Sequence, residues 1–336
     1  MKEFIIEENE AGQRFDKYLA KLLREAPKSF FYKMLRKKNI TLNGKKATGN
    51  EKLLKGDTIK LFLSDETFDK FAGSSQAARA YCELDIVYED PDIIIINKPA
   101  GMLSQPADDG EPSLVEYLTG YLLKKGDLTE EQLKTFRPSV CNRLDRNTSG
   151  MVCAGKSLAG LQFLSKIFHD RTLHKYYICL TKGKIEKPDH IRGYLHKDNK
   201  TNKVIVSRQE FKDSLPIETK YRPLGSNGKI TLLEVELITG RTHQIRAHLA
   251  GTGHPLLGDT KYGDSEFNKQ VRHQLLHAYR LVIPETDQTF VAPAPELFCK
   301  IIKEENLEEA YHENLERNMG LRKNDHHSSS DRNACE

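Results

Sequence analysis

The 336-residue chain is 38% hydrophobic and 30% charged, enough to bury a sizeable core and to form two domains or one with an appendage. No apolar run approaches a membrane span, since IIIIN at Ile93 to Asn97 is far too short, and the start, MKEFIIEENEAG, places acids directly after its apolar triplet, unlike a signal or transit peptide. Six cysteines without C-x-x-C spacing argue against a zinc ribbon, a redox pair or a disulfide framework and point to a reducing cytoplasm. The net charge of +4 is unevenly placed. Residues 1–60 hold 15 Lys and Arg against 8 Asp and Glu, a local charge of +7, which leaves −3 for the remainder. A basic module joined to a near-neutral body suggests a handle for a polyanion, although a solvated basic face gives the same count.

In chain order, Arg14–Leu23 places Phe15, Tyr18, Leu19 and Leu22 on one helical face. Pro27 breaks that pattern, and Ser29 is positioned to cap a second helix, FFYKMLRKK. Asn43-Gly44 between β-prone runs predicts a tight hairpin, and TIKLFL a further strand. Lys33, Arg36, Lys37, Lys38, Lys45 and Lys46 gather at the second helix and the hairpin. Residues 64–80 lack clear periodicity, contain Gly-Ser-Ser and read as a linker. Beyond it, IVYED and DIIIINK, split by Pro91, predict a hairpin. Leu114–Lys124 and Leu158–Phe168 predict amphipathic helices, and YYICL, KVIVS, ITLLEVEL and LVIP predict strands. Helices and strands mix without a βαβ rhythm, so the body is expected to be α+β around a mostly antiparallel sheet. EENLEEAYHENLE reads as a final surface helix, and the polar end from about Asn318 as disordered.

Three motifs invite chemistry. GMVCAGKS, Gly150 to Ser157, fits G-x-x-x-x-G-K-[ST], but a phosphate loop needs a buried strand before its first glycine and a flexible turn after it. Here polar, turn-forming NRLDRNTS precedes Gly150 and strand-like Met-Val-Cys-Ala follows, so the nucleotide reading is rejected. His243, His248 and His254 are spaced by five and six residues, with no glutamate in the H-E-x-x-H position, so no metal site is expected. In Arg143-Leu144-Asp145-Arg146 the aspartate is either a surface ion pair of little consequence or a nucleophilic carboxylate kept charged by guanidinium groups. Local spacing alone favours the first.

Context shifts the balance. NRLDRNTSGMV, NKPAGMLSQP, HKYYICLTKG and TGRTHQIRAHLAGTGHPLLGDTKYG together resemble the RluA-type ribosomal-RNA pseudouridine synthase family, from about Tyr81 to about Ile302. LLHAYRLVIP and FVAPAPELF fit it as well, and the arrangement is most similar to the RluC-like branch. The first sixty residues resemble the small RNA-binding domain, of ribosomal-protein type, that often precedes this catalytic domain. The resemblance implies a domain plan of 1–63 for the basic RNA-binding domain, 64–80 for the linker, 81–303 for the catalytic domain on its mostly antiparallel mixed sheet, and 304–336 for the acidic helix and tail.

It also implies roles. Asp145, in R-L-D, is the catalytic aspartate; Tyr177, two residues after a lysine, packs on the base; and Arg246 partners the aspartate, with Arg241 the less favoured choice. Arg143, Arg241 and His243 are expected to face RNA, and the six basic residues of the first domain to hold it. The expected reaction converts uridine to pseudouridine with no cofactor or metal, most naturally in large-subunit ribosomal RNA, free or in a pre-ribosomal particle, by a monomer. Transfer RNA, or a non-catalytic ribosome-assembly role, are the alternatives. The family usually has histidine before R-L-D, whereas this chain has Asn142, which bears on the loop contacts and substrate preference.

Overall fold

The computed structural model describes residues 1–72, 80–107, 110–198, 203–263 and 271–319. The N-terminal part contains β1 (Lys2–Ile5), α1 (Phe15–Leu22), α2 (Lys28–Arg36), β2 (Ile40–Leu42), β3 (Lys45–Lys46), β4 (Thr58–Leu61) and α3 (Asp65–Ala72). Its four strands form a separate antiparallel sheet in the order β1-β4-β2-β3. Phe15, Tyr18, Leu19 and Leu22, the face read from the sequence, close a core of their own with Phe31, Leu35, Ile40, Ile59 and Leu61. The hairpin turns through Asn43 and Gly44, both left-handed, as a tight two-residue turn requires. Two details differ from the sequence reading. The second helix starts at Lys28 after Pro27, whose side chain makes no capping bond, so Ser29 lies within the first turn and caps nothing. An extended proline has no N–H to leave unpaired, and the Phe30 N–H donates to its carbonyl, so the boundary falls there. The expected linker also begins with α3, because Phe68 is buried in the module's core and Phe71 packs against it. Residues 73–79 of that linker lie outside the described residues.

The body is built on one eleven-stranded sheet. Its elements are β5 (Ile86–Glu89), β6 (Ile93–Lys98), α4 (Leu114–Lys125), β7 (Ser139–Val140), β8 (Ser149–Gly155), α5 (Leu158–Asp170), β9 (His174–Lys182), β10 (Asp189–Asp198), β11 (Lys203–Ser207), β12 (Leu215–Ser226), β13 (Ile230–Leu237), α6 (Gln244–Gly251), β14 (Leu276–Ile283), β15 (Gln288–Val291), α7 (Glu296–Glu304) and α8 (Glu308–Met319). The order is β11-β10-β12-β13-β9-β14-β8-β6-β5, with β15 on β14 and β7 on β8. The β8–β14 pair is parallel and the other pairs are antiparallel, a mixed and mostly antiparallel sheet as expected. The sheet is buried on both faces, so its central strands read as continuous apolar runs. Ile94, Ile96, Val152, Tyr177 and Cys179 face α4 and α6, while Ile178 and Leu180 face α7 and α8. The acidic α8 does more than cover a surface: it buries Tyr311, Asn314 and Asn318, and Asn314 accepts a bond from Arg222 of β12. Its apolar and amide positions dock it on the sheet, so the packed body runs past residue 303. The tail expected to be disordered lies, from residue 320, outside the described residues.

GMVCAGKS is a strand followed by a helix cap. Gly150, at φ +114°, is where β8 crosses β14, and a Cβ there would stand 2.4 Å from the backbone of Ala278. Lys156 donates to Glu89 and Asp127, and Ser157 caps α5, so both are committed to packing. Among the described residues no helix is long and apolar enough to cross a membrane.

Candidate active site

Asp145 stands at the floor of a cleft of about 1260 Å³. It lies in the 141–148 loop that joins β7 to β8, and that loop is fastened along its length. The Asn142 side chain accepts from Cys153 N–H at 2.7 Å and donates to Met151 O at 3.2 Å, both on β8. Ser104 bonds both the N–H and the carbonyl of Leu144, whose side chain is buried in the core. Thr148 N–H donates back to the Asp145 carbonyl, closing a turn that leaves the carboxylate projecting. Beneath the loop Lys98 is fully buried and donates to the carbonyls of Pro99, Met102 and Arg146 at 2.8 to 3.1 Å. Burial pulls its pKa down to about 7, against the opposing charge of Asp145. Three carbonyl acceptors match the three N–H groups of an ammonium, so Lys98 ties the 99–102 turn to the loop beside Asp145.

Arg246 reaches the site from α6. Its Nη1 donates to Asp145 Oδ2 at 2.8 Å, while Nε and Nη2 grip both oxygens of Asp259 at 2.8 and 2.9 Å. Asp259 has no exposed surface, and its Oδ1 also accepts the N–H groups of Lys261 and Tyr262. Burial works against the Arg246 charge, but the two carboxylates more than offset it and its pKa lies above the ordinary value. The same guanidinium, with the two backbone N–H groups, holds Asp259 below the ordinary carboxylate value despite burial. A planar fork engaged on two edges has one orientation left, so Arg246 presents a fixed N–H to Asp145.

His243, in left-handed backbone at the head of α6, lies 3.8 Å from Asp145 through Nε2. Its Nδ1 is 2.9 Å from Tyr262 Oη, which in turn accepts from Val204 N–H. A Tyr262 hydroxyl donating to Nδ1 would place the ring proton on Nε2, towards the carboxylate. Burial lowers the His243 pKa, with Asp145 opposing. Tyr177 is 6% exposed and comes up from β9 into the same cleft; burial and the Asp145 charge keep its phenol protonated.

The comparisons place the chain in a family. The family model for RNA pseudouridylate synthase matches residues 92–251, a span that holds Asp145, Tyr177 and Arg246. A ribosomal large subunit pseudouridine synthase C of Vibrio vulnificus is 32% identical over 305 residues, covering 86% of this chain and 91% of the relative. The chain belongs to the RNA pseudouridine synthase family. An RNA pseudouridine synthase of Bacillus subtilis is also 32% identical, over 87% of this chain and 93% of its own length. The solved structure of human RNA pseudouridylate synthase domain containing 4 shares the fold, with a TM-score of 0.53 at 22% identity over 65% of this chain and 91% of that one.

The synthase, an isomerase of RNA, brings together six of the residues singled out in its sequence: Asp145, Tyr177, Arg246, Arg143, Arg241 and His243 line one cleft. Arg241 is exposed at the rim and Arg246 is the one bonded to Asp145. His243 is tucked against the carboxylate rather than out on the rim. Lys33, Arg36, Lys37, Lys38, Lys45 and Lys46 are all exposed on the N-terminal module, away from the cleft lining. Three contributors escaped the sequence reading. Asp259 and Tyr262 lie inside LLGDTKYG, but nothing in their spacing says that they close on Arg246. Lys98, the last residue of DIIIINK and of β6, gives no sign in the sequence of its burial. Among the described residues no group of three His, Cys, Asp or Glu could hold a metal.

Proposed function

We propose that the synthase acts on large-subunit ribosomal RNA, with Asp145 as its nucleophile and without a cofactor. The observation that carries the reading is the 2.8 Å bond from Arg246, itself fixed by Asp259, to Asp145 in a cleft shared with Tyr177. The N1–C1′ bond of uridine breaks, the uracil turns, and C5 bonds to C1′, while C5 loses its hydrogen and N1 gains one. Bonds are exchanged within one nucleotide, so no electron or group donor is needed. Asp145 engages an electron-poor carbon, C1′ of the sugar or C6 of the ring, much as a glycosidase carboxylate faces an oxocarbenium-like centre. Tyr177 packs on the uracil face, and Arg246 holds the carboxylate in place. Reaching a paired base requires extruding it, at a cost of about a few kcal/mol that cationic contacts from the cleft rim offset.

Ribosomal RNA is favoured because the Vibrio relative is named for the large subunit and because residues 1–63 present a basic face. In this reading that module is an RNA-binding domain. Its Lys33, Arg36, Lys37, Lys38, Lys45 and Lys46 make no ion pair or side-chain hydrogen bond among the described residues, which leaves them open to phosphates. Two bonds dock it on the body, from Thr135 Oγ1 to Glu10 and from Arg24 to Leu133 O. The sequence holds no extended apolar heptad for pairing, and the enzyme is taken to act as a monomer. The test is tritium release from unmodified large-subunit ribosomal RNA labelled at uracil C5, without ATP or added metal. Wild type should release tritium and Asp145→Ala should not, with both folded and both binding RNA. Release from transfer RNA alone would overturn the substrate assignment, and release by the Asp145→Ala protein would overturn the nucleophile.

A further inference from the structure

Partly buried cations in the body have clear partners. Lys156 is held by Glu89 and Asp127, Arg280 by Glu234, Arg246 by Asp145 and Asp259, and Lys98 by three carbonyls. Lys175 is different. It is half-buried on β9 at the wall of the catalytic cleft, and among the described residues it makes no ion pair or side-chain hydrogen bond. The acids near that end of the sheet are committed elsewhere: Glu236 to His174 and Lys220, and Asp170 to His169. The charge that acts on it is another cation, Arg171, in left-handed backbone at the end of α5 and on the same cleft. Burial lowers the Lys175 pKa and Arg171 lowers it further. A half-buried ammonium with a guanidinium on the same cleft wall and no acid paired to it favours an anion beside it.

Position names the anion. Side chains two apart on a strand share a face, so Lys175 and Tyr177 both face the cleft, about 6.6 Å apart along β9. The Lys175 ammonium lies beside Gly240, where a Cβ would stand 3.8 Å away, so it sits between the end of α5 and the turn that leads to α6. A uridine stacked on Tyr177 with its sugar at Asp145 brings its own phosphates into the cleft that Lys175 and Arg171 also line. We propose that Lys175 and Arg171 form a phosphate subsite that grips the RNA backbone next to the uridine stacked on Tyr177. The subsite rests on the placement of the uridine at Tyr177 and Asp145, but not on which RNA supplies it.

The test compares wild type, Lys175→Met, Lys175→Arg and Arg171→Ala across a salt series. It reads tritium release from large-subunit ribosomal RNA and, in parallel, anisotropy of a fluorescent oligouridylate. Lys175→Met should lower kcat/KM roughly tenfold, the loss of one charge-assisted contact. It should also make the logarithmic salt dependence of kcat/KM and of oligouridylate binding shallower by about 0.7, the share of one phosphate on a single strand. Arg171→Ala should do the same, and Lys175→Arg should restore both. The Met variant should melt no lower than wild type, because it removes a buried charge that no acid balances. An unchanged salt slope, or a Met variant that melts lower and is not rescued by Arg, would overturn the subsite. If wild type fails on ribosomal RNA, the substrate assignment fails, and the oligouridylate slopes still decide the subsite.

Discussion

Asp259→Asn tests whether the site works because Arg246 is clamped from behind. The change keeps shape and volume but replaces one carboxylate oxygen with an NH2 group. Oδ1 could still accept the N–H groups of Lys261 and Tyr262, which would turn the new amide N–H towards the Arg246 fork. A donor would then face a donor in a place with no solvent exposure. Removing one partner of a buried ion pair costs about 3–5 kcal/mol. For a body of this size that corresponds to a fall in Tm of about 6–20 °C. The guanidinium would keep its bond to Asp145 only by swinging, and a displacement of about 1 Å at a reacting group can cost on the order of 100-fold in rate. Thermal unfolding measures the first effect, and tritium release at a temperature where the variant is fully folded measures the second. Most of the loss should fall on kcat, since Asp259 has no exposed surface with which to touch RNA itself. A variant with wild-type Tm and wild-type kcat would refute the clamp.

Replacing Lys33, Arg36, Lys37, Lys38, Lys45 and Lys46 with glutamine should raise KM and flatten its salt dependence with little change in kcat; an unchanged salt slope would remove the module from RNA binding. His277 is fully buried between Ser149 and the Ala292 carbonyl, and His248 is buried against Thr219; burial takes both from the ordinary 6.5 down to about 4. Between pH 6.5 and 4 the unfolded chain binds protons there that the folded chain does not, so stability is full above pH 6.5 and lost as the pH falls, by up to about 3 kcal/mol for each ring. Denaturant midpoints at pH 7 and pH 4.5 should show this, and His277→Gln should lessen the slope. Asn142→Ala leaves the Cys153 N–H and the Met151 carbonyl without their side-chain partner and should cost about 1–3 kcal/mol; equal melting of the two proteins would show that the loop is rooted by other contacts.

The small module was readable because its signals are local. Phe15, Tyr18, Leu19 and Leu22 repeat at helical spacing, and Asn43-Gly44 supplies the two left-handed residues its hairpin needs. Helix α3 escaped because it has one short apolar face, Phe68 and Phe71, in a polar segment. The strands of the body were legible as apolar runs, but their order was not. β8 reaches its parallel neighbour β14 across more than a hundred residues, and Gly150 marks the crossing only once Ala278 is known to lie against it.

The same distinction explains the site. A lone aspartate between arginines carries no more information than a surface ion pair, and its neighbours in sequence are not its partners in space. Arg143 points to Gln105, and Arg146 to the Gly101 carbonyl and Glu111. The cation that meets Asp145 comes from 101 residues away. What the local sequence does provide is the means of presenting the aspartate. β7 pairs with β8 through Val140 and Ala154, and the Cys141 N–H still bonds Cys153 O. One residue later the Asn142 side chain takes up the β8 edge, bonding Cys153 N–H and Met151 O. The chain can therefore leave the sheet at Asn142 without stranding those two backbone groups, and Asp145 follows three residues on. At the position where the family usually has histidine, Asn142 thus roots the loop on β8 while also lining the cleft.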